Sequence, residues 1–263
     1  MRKTTLSLVL AAALPVAALA ANPAQNLVEK LTQGQATIVK SFPGIGNLEG
    51  FVVKPTQGQG QETVVFVDKD GLYLIPGPVI NANGENATQL AVKQQITDPM
   101  APKVIQAAAK THWFAQGNPK APHQAYMLVE PNCIACHMLH QTIQPMIKSG
   151  QLYVRWIMVS FLKPSSEGKA AAILSAKDPA KAFNTDEANF NTKTESGSIN
   201  PLSNVSSEIK NQLKDNMGFM QKYNFISTPV IIYKDKDNKA QIMNGFLPGK
   251  AMEKLVDTMT TLN

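Results

Sequence analysis

The sequence contains only two cysteines in 263 residues, both within one four-residue stretch, which excludes a disulfide-braced scaffold. After residue 20 it has no apolar run long enough to span a bilayer, so a polytopic membrane protein is excluded as well. It also lacks a clustered charge of one sign: 25 Lys+Arg against 19 Asp+Glu give +6, and the basic residues are scattered rather than striped with aromatics. Nucleic acid is therefore not an expected partner. Internal repeats and low-complexity tracts are absent too. What is present, 44% hydrophobic residues with 17 Pro and 16 Gly, describes a globular chain of one large domain or two smaller ones.

The first twenty residues stand apart. Met1-Arg2-Lys3 is basic, Leu6 to Ala20 is mainly apolar, and Ala18-Leu19-Ala20 has the small-x-small form of a cleavage site, so residues 1–20 are expected to be a signal peptide. Export follows from that reading, and removing Arg2 and Lys3 lowers the charge from +6 to +4.

Residues 21–97 read as a small α+β domain, with an amphipathic start at Leu27, Val28 and Leu31 and short β-rich runs after it. Thr63–Val67 meets Leu72–Ile75 across Asp68–Gly71, and Val79-Ile80 precedes the turn Asn81–Gly84; both are hairpin signals. With no Cys or His, this domain is expected to bind or assemble rather than catalyse. Residues 98–115, rich in helix formers after Pro99, predict a linker helix. Residues 116–263 then alternate: strand Ala125–Val129, helix Cys133 to about Lys148, strand Leu152–Val159, a helical insertion over about 165–223, strands Val230–Tyr233 and Gln241–Met243, and a helix from Lys250 to Thr261. That order predicts an α/β thioredoxin-like domain, with Asn184 to Asn204 as a mobile loop inside the insertion.

The chemistry concentrates in Cys133-Ile134-Ala135-Cys136, where a strand gives way to a helix. A thiolate at a helix N-terminus is favoured by free backbone N–H groups, so Cys133 is the expected nucleophile and Cys136, one turn on, the resolving thiol. His137, four residues after Cys133 on the same helix face, is a candidate modulator of the thiolate. The run also satisfies the CxxCH pattern, so a c-type monohaem electron carrier using Cys133, Cys136 and His137 is the alternative reading. Apolar strands on both sides weigh against it. Zinc bound by Cys133, Cys136, His137 and His140 is a third reading, opposed by geometry, because adjacent residues leave one helix at about 100° to each other. No metal and no cofactor beyond a redox-active Cys133–Cys136 disulfide are expected. His112 and His123 are isolated and expected to be packed or solvated. Thr228-Pro229, ahead of an apolar strand, is the expected place for a cis bond beside the cysteines, presenting backbone to an extended substrate.

Several motifs together resemble the DsbC/DsbG family of periplasmic thiol:disulfide interchange proteins, on its DsbG side, across essentially the whole chain after the leader. They are His112-Trp113-Phe114, Glu130-Pro131-Asn132-Cys133-Ile134-Ala135-Cys136, Pro145, the stretch Ala170 to Lys181, and Thr228-Pro229. The resemblance implies a periplasmic disulfide isomerase or reductase with chaperone activity. It also implies a V-shaped homodimer joined through cystatin-like N-terminal domains, exported clients with non-native disulfides or oxidised cysteines, and a membrane thiol reductase of the DsbD type that keeps the cysteines reduced. The chain departs from the family in carrying Ile134-Ala135 where Pro-Tyr or Gly-Tyr is common, and it lacks the second cysteine pair of DsbC-type domains.

Overall fold

A computed structural model describes residues 22–58 and 60–262; the expected signal peptide lies outside the described residues. The chain divides into two compact units between Thr88 and Gln89.

The first unit opens with α1 (Pro23–Thr32), followed by β1 (Ala36–Pro43), β2 (Leu48–Pro55), β3 (Thr63–Asp68) and the short β4 (Leu74–Ile75). These strands form an antiparallel meander in the order β1-β2-β3-β4. Helix α1 starts where Asn22 Oδ1 accepts from the amides of Ala24 and Gln25, with Pro23 at the first helical position, where its missing N–H costs nothing. Its apolar side, Ala24 and Val28, packs with Phe51, Val53, Val65 and Val67. The expected β3–β4 hairpin forms, pairing Phe66 with Ile75 and Val67 with Leu74. Its turn is held by the Asp68 carboxylate, which accepts from the amides of Leu72 and Tyr73. The second expected hairpin does not: only an isolated bridge joins Ile80 and Asn86, because Asn81 folds the turn onto its own side chain, accepting from the amides of Asn83 and Glu85.

Helix α2 (Ala87–Val92) spans the division and runs through a π-helical turn, Lys93–Thr97, into α3 (Asp98–Ala108). Here the structure differs from the expected linker over 98–115. Ala101, Val104, Ile105 and Ala108 of α3 are packed into the second unit's core with Tyr126, Leu128, Ile157 and Val230. The end of the expected helix is strand β5 (Trp113–Gln116), which pairs antiparallel with β7. Trp113 and Phe114 alternate, one outward and one buried, as a strand requires.

The second unit continues with β6 (His123–Val129), α4 (Ile134–Lys148), β7 (Leu152–Met158), α5 (Ser166–Leu174), α6 (Pro179–Ala188), α7 (Ser207–Lys222), β8 (Val230–Lys234), β9 (Ala240–Asn244) and α8 (Lys250–Thr258). Its sheet order is β5-β7-β6-β8-β9, with β6 and β7 parallel and the other pairs antiparallel. Strand β6 is apolar almost throughout because both its faces are covered. Ala125, Met127 and Val129 face the core that holds α4, the insertion helices and α8, while Tyr126 and Leu128 face α3 and the end of α7. The segment expected to be a mobile loop is partly helix, since α6 runs to Ala188, and partly stitched down from outside. Lys163 Nζ donates to the carbonyls of Thr194 and Glu195, and the buried Lys169 Nζ donates to Ser196 Oγ at 2.7 Å and to the Gly197 carbonyl. None of the helices is long and apolar enough to cross a membrane, among the described residues.

Candidate active site

Strand β6 ends at Val129, and four residues later Cys133 caps α4 in an extended conformation (φ −92°, ψ 110°). Its Sγ takes the role of a capping oxygen, accepting from the Cys136 amide at 3.1 Å. Cys136 lies one turn in with no exposed surface, and the two sulfurs are not joined in a disulfide in this structure. The loop before β8 closes the site: the Thr228–Pro229 peptide is cis, and the Thr228 carbonyl accepts from Cys133 Sγ at 3.4 Å. The buried Thr228 Oγ1 has no partner of good hydrogen-bond geometry, yet it lies near enough to the sulfur to favour the ionised form.

The two thiols are driven apart. A hydrogen bond from the Cys136 thiol lowers Cys133 most, outweighing burial; Thr228 and the Cys136 amide add to the effect, the Glu130 carboxylate opposes it, and the result falls from 9.0 to about 7. Burial, then the neighbouring Cys133 sulfur, pushes Cys136 well above its ordinary value. At pH 7 a thiol at 9.0 would be about 1% ionised and one at about 7 about half, so Cys133 is the readily ionised sulfur and Cys136 the one held as a thiol.

His137 donates its amide to the Cys133 carbonyl at 3.0 Å. Its ring turns away from the thiolate: Nδ1 lies 3.0 Å from Glu187 Oε2, and the imidazole stacks on Phe190 at 4.6 Å and 14°. The main groups lowering Cys133 are Cys136 and Thr228, so the expected influence of His137 on the thiolate is not a direct contact. His140 points elsewhere again, 2.8 Å from Asn184 Oδ1 and edge-on to Phe183, and burial brings it down to about 4. Thus Cys136, His137 and His140 do not converge, and no cluster of three or more His, Cys, Asp or Glu side chains suited to a metal occurs among the described residues. His112 pairs with Asp215 at the surface, and His123 Nδ1 meets the Met259 carbonyl at 2.8 Å.

Sequence reasoning missed the buried polar ring around the cysteines. Glu130 has no exposed surface; its Oε2 accepts from the Asn132 amide at 2.6 Å, and burial raises its pKa. Asn132 Nδ2 donates to Ser166 Oγ at 3.0 Å, tying the active-site loop to α5. Asp186 and Glu187 on α6 are also fully buried. A carboxylate three residues before Cys133 is a visible signal for Glu130. Glu187 lies 50 residues from His137 and nothing local marks it.

Comparison with known proteins agrees with this geometry. The thioredoxin-like domain family matches residues 114–260. The thiol:disulfide interchange protein DsbG of Escherichia coli (strain K12) is 32% identical over 214 residues, covering 81% of this chain and 84% of its own length. DsbG of Pseudomonas aeruginosa is 28% identical, covering 80% of this chain and 79% of its own. Among solved structures, Proteus mirabilis ScsC in a compact conformation overlays 65% of this chain and 84% of its own with a TM-score of 0.48 at 17% identity. The haem-carrier alternative finds no support: Cys133, Cys136 and His137 lie inside the matched thioredoxin-like domain, with His137 committed to Glu187. With CxxC at the head of α4, Thr228-Pro229 against it, and a relative 32% identical along four fifths of the chain, the chain belongs to the DsbG family of thiol:disulfide interchange proteins.

Proposed function

We propose that this protein is a periplasmic disulfide isomerase and reductase in which Cys133 is the attacking thiolate, Cys136 the resolving thiol, and Thr228-Pro229 the substrate-facing loop. The observation that carries the reading is the divergence of the two thiols, with Cys133 drawn to about 7 at a helix cap and Cys136 buried and raised. The Cys133 thiolate attacks one sulfur of a client disulfide; that S–S bond breaks, a Cys133–client bond forms, and the second client sulfur leaves as a thiolate. In isomerisation a client thiolate then attacks the mixed disulfide at the client's own sulfur and expels Cys133 unchanged. In reduction Cys136, once deprotonated, attacks Cys133 sulfur, the client cysteine leaves as a thiolate, and the pair ends as a disulfide, having given two electrons. A sulfenylated client cysteine follows the same course, with hydroxide as the first leaving group. No cofactor enters, and a membrane thiol reductase of the DsbD type returns the pair to the dithiol.

Homodimerisation through the first unit fits its sheet, where β1 is an edge strand of 8 residues exposing Val39 at 49%. Holding unfolded clients fits the exposed Phe161 and Leu162 after β7 and Ile226 just ahead of Thr228. The test is trapping. Cys133→Ser should abolish reductase and isomerase activity, and Cys136→Ser should accumulate mixed disulfides with exported proteins. Equal trapping by the two variants would overturn the assignment.

A further inference from the structure

The side chain of Glu187 is fully buried, with Oε2 on His137 Nδ1 at 3.0 Å and Oε1 without any partner. A buried carboxylate left half-satisfied is costly, and the thiol-exchange scheme above gives it no task. It comes from α6, in the helical insertion, yet it grips the residue that follows Cys136 and whose amide bonds the Cys133 carbonyl. Phe190 closes the other side of the imidazole, so ring and carboxylate can neither separate nor reach bulk water easily.

We propose that Glu187 is a positioning residue for the redox centre: it clamps His137 against the first turn of α4 and shares with it a proton that the reduced protein binds more tightly than the oxidised one. The inference rests on the thiol–disulfide reading of Cys133 and Cys136. With the proton present the Glu187–His137 couple is neutral overall, whichever atom carries it; with the proton gone it is an anion. Burial pushes the Glu187 carboxyl up to about 7; the His137 hydrogen bond opposes this, and Asp186 and the Cys133 sulfur add to the rise. Cys133 carries charge only when reduced, so the couple feels a thiolate in one redox state and a neutral disulfide in the other. Reduction of the disulfide by a dithiol transfers two electrons and releases two protons, of which one ends on Cys136 and the other goes to solvent, giving Cys133 thiolate and Cys136 thiol. A couple that has lost its proton then takes up a further one beside the new charge, and linkage is reciprocal, so an ionised couple holds Cys133 back from ionising.

The other groups facing the couple do not supply this behaviour. Asp186, next along α6, is raised to about 6 by burial, but its Oδ1 accepts from the Ile199 amide at 2.7 Å and Lys169 of α5 attracts its charge. Glu130, at the end of β6, acts on Cys133 directly and is raised by burial. Cys136 stays a thiol, and His140, at about 4, is neutral above pH 5. Lys148, at the end of α4, acts on His140.

The test equilibrates the full-length protein with glutathione buffers from pH 5.5 to 8.5 and follows, in parallel, the pH profile of Cys133 alkylation. In Glu187→Gln, an isosteric change, the logarithm of the equilibrium constant should vary with pH less steeply than in the wild type, by up to one unit per pH unit (tenfold) near neutrality. The alkylation profile should move to lower pH. His137→Gln removes the partner that holds Glu187 down, so the extra proton linkage should move to higher pH, a readout that stands even if Glu187→Gln does not fold. Profiles of both variants superimposed on the wild type would overturn the proposal. Failure of the underlying reading looks different: the wild-type cysteines would not equilibrate with glutathione at all.

Discussion

The four-stranded sheet of the first unit and the five-stranded sheet of the second bury their strands differently. Strand β1 alternates half-buried and exposed residues along its whole length, whereas β6 is buried at every position after His123. Strand β1 keeps an exposed row and a free edge, which suits association, whereas β2 and β3 beside it are buried on both faces over four consecutive residues each. A sheet covered on both faces is a rigid platform, and the cysteines stand just beyond the C-terminal end of its central parallel strand, where α4 begins.

The comparison can be broken most forcefully by removing residues 22–88. If the first unit serves only association, the remainder should become a monomer that still reduces small disulfides while isomerase activity is lost, as light scattering and a scrambled-substrate assay would show. Undiminished isomerase activity would end that reading. Truncating single side chains sharpens the contrast in burial. Trp156→Ala empties a fully buried site and orphans Gln116 Oε1, which accepts from Trp156 Nε1 at 2.9 Å, so urea denaturation should register a loss of about 3–5 kcal/mol. Ile38→Ala, on the half-exposed β1, should cost about 1 kcal/mol.

A second difference is electrostatic. The fully buried carboxylates among the described residues, Glu130, Asp186 and Glu187, all belong to the second unit. Folding raises Asp186 from 3.8 to about 6 and Glu187 from 4.5 to about 7, so the folded state binds more protons than the unfolded chain between those limits. This contribution to the stability of the second unit should therefore be complete only below pH 3.8 and be lost as pH rises towards 7, with a shallower fall in Glu187→Gln, measured by denaturation across pH. The smallest effects should be alike in both units. Asn22→Ala removes the cap of α1 and Ser206→Ala that of α7, whose Oγ accepts from the Ile209 amide at 3.3 Å; each should cost about 1 kcal/mol in thermal melts.

Much of this was legible in the residues because its causes are local. The strands around Ala125–Val129 and Leu152–Val159 announce themselves as apolar runs, and the Cys133 cap follows from a strand ending four residues before a helix-forming stretch. Where local interactions compete, the structure departs from the pattern of the residues. The Val79-Ile80 hairpin yielded to Asn81's own side-chain bonds, and the end of the supposed linker became β5 because β7 offered it an edge.

The sequence by itself determined an α+β segment ahead of a thioredoxin-like order of elements and the placing of Cys133 and Cys136 at a helix start, since periodicity and a helix terminus act over a few residues. Only the tertiary structure decided that α3 belongs to the second core and that Lys163 and Lys169 pin the Asn-rich segment. It alone decided, too, that His137 answers to Glu187 rather than to Cys133. These pairings join residues far apart in the chain, and what selects them is the cost of leaving a buried amide, ammonium or carboxylate without a partner, a cost that exists only once the elements have packed.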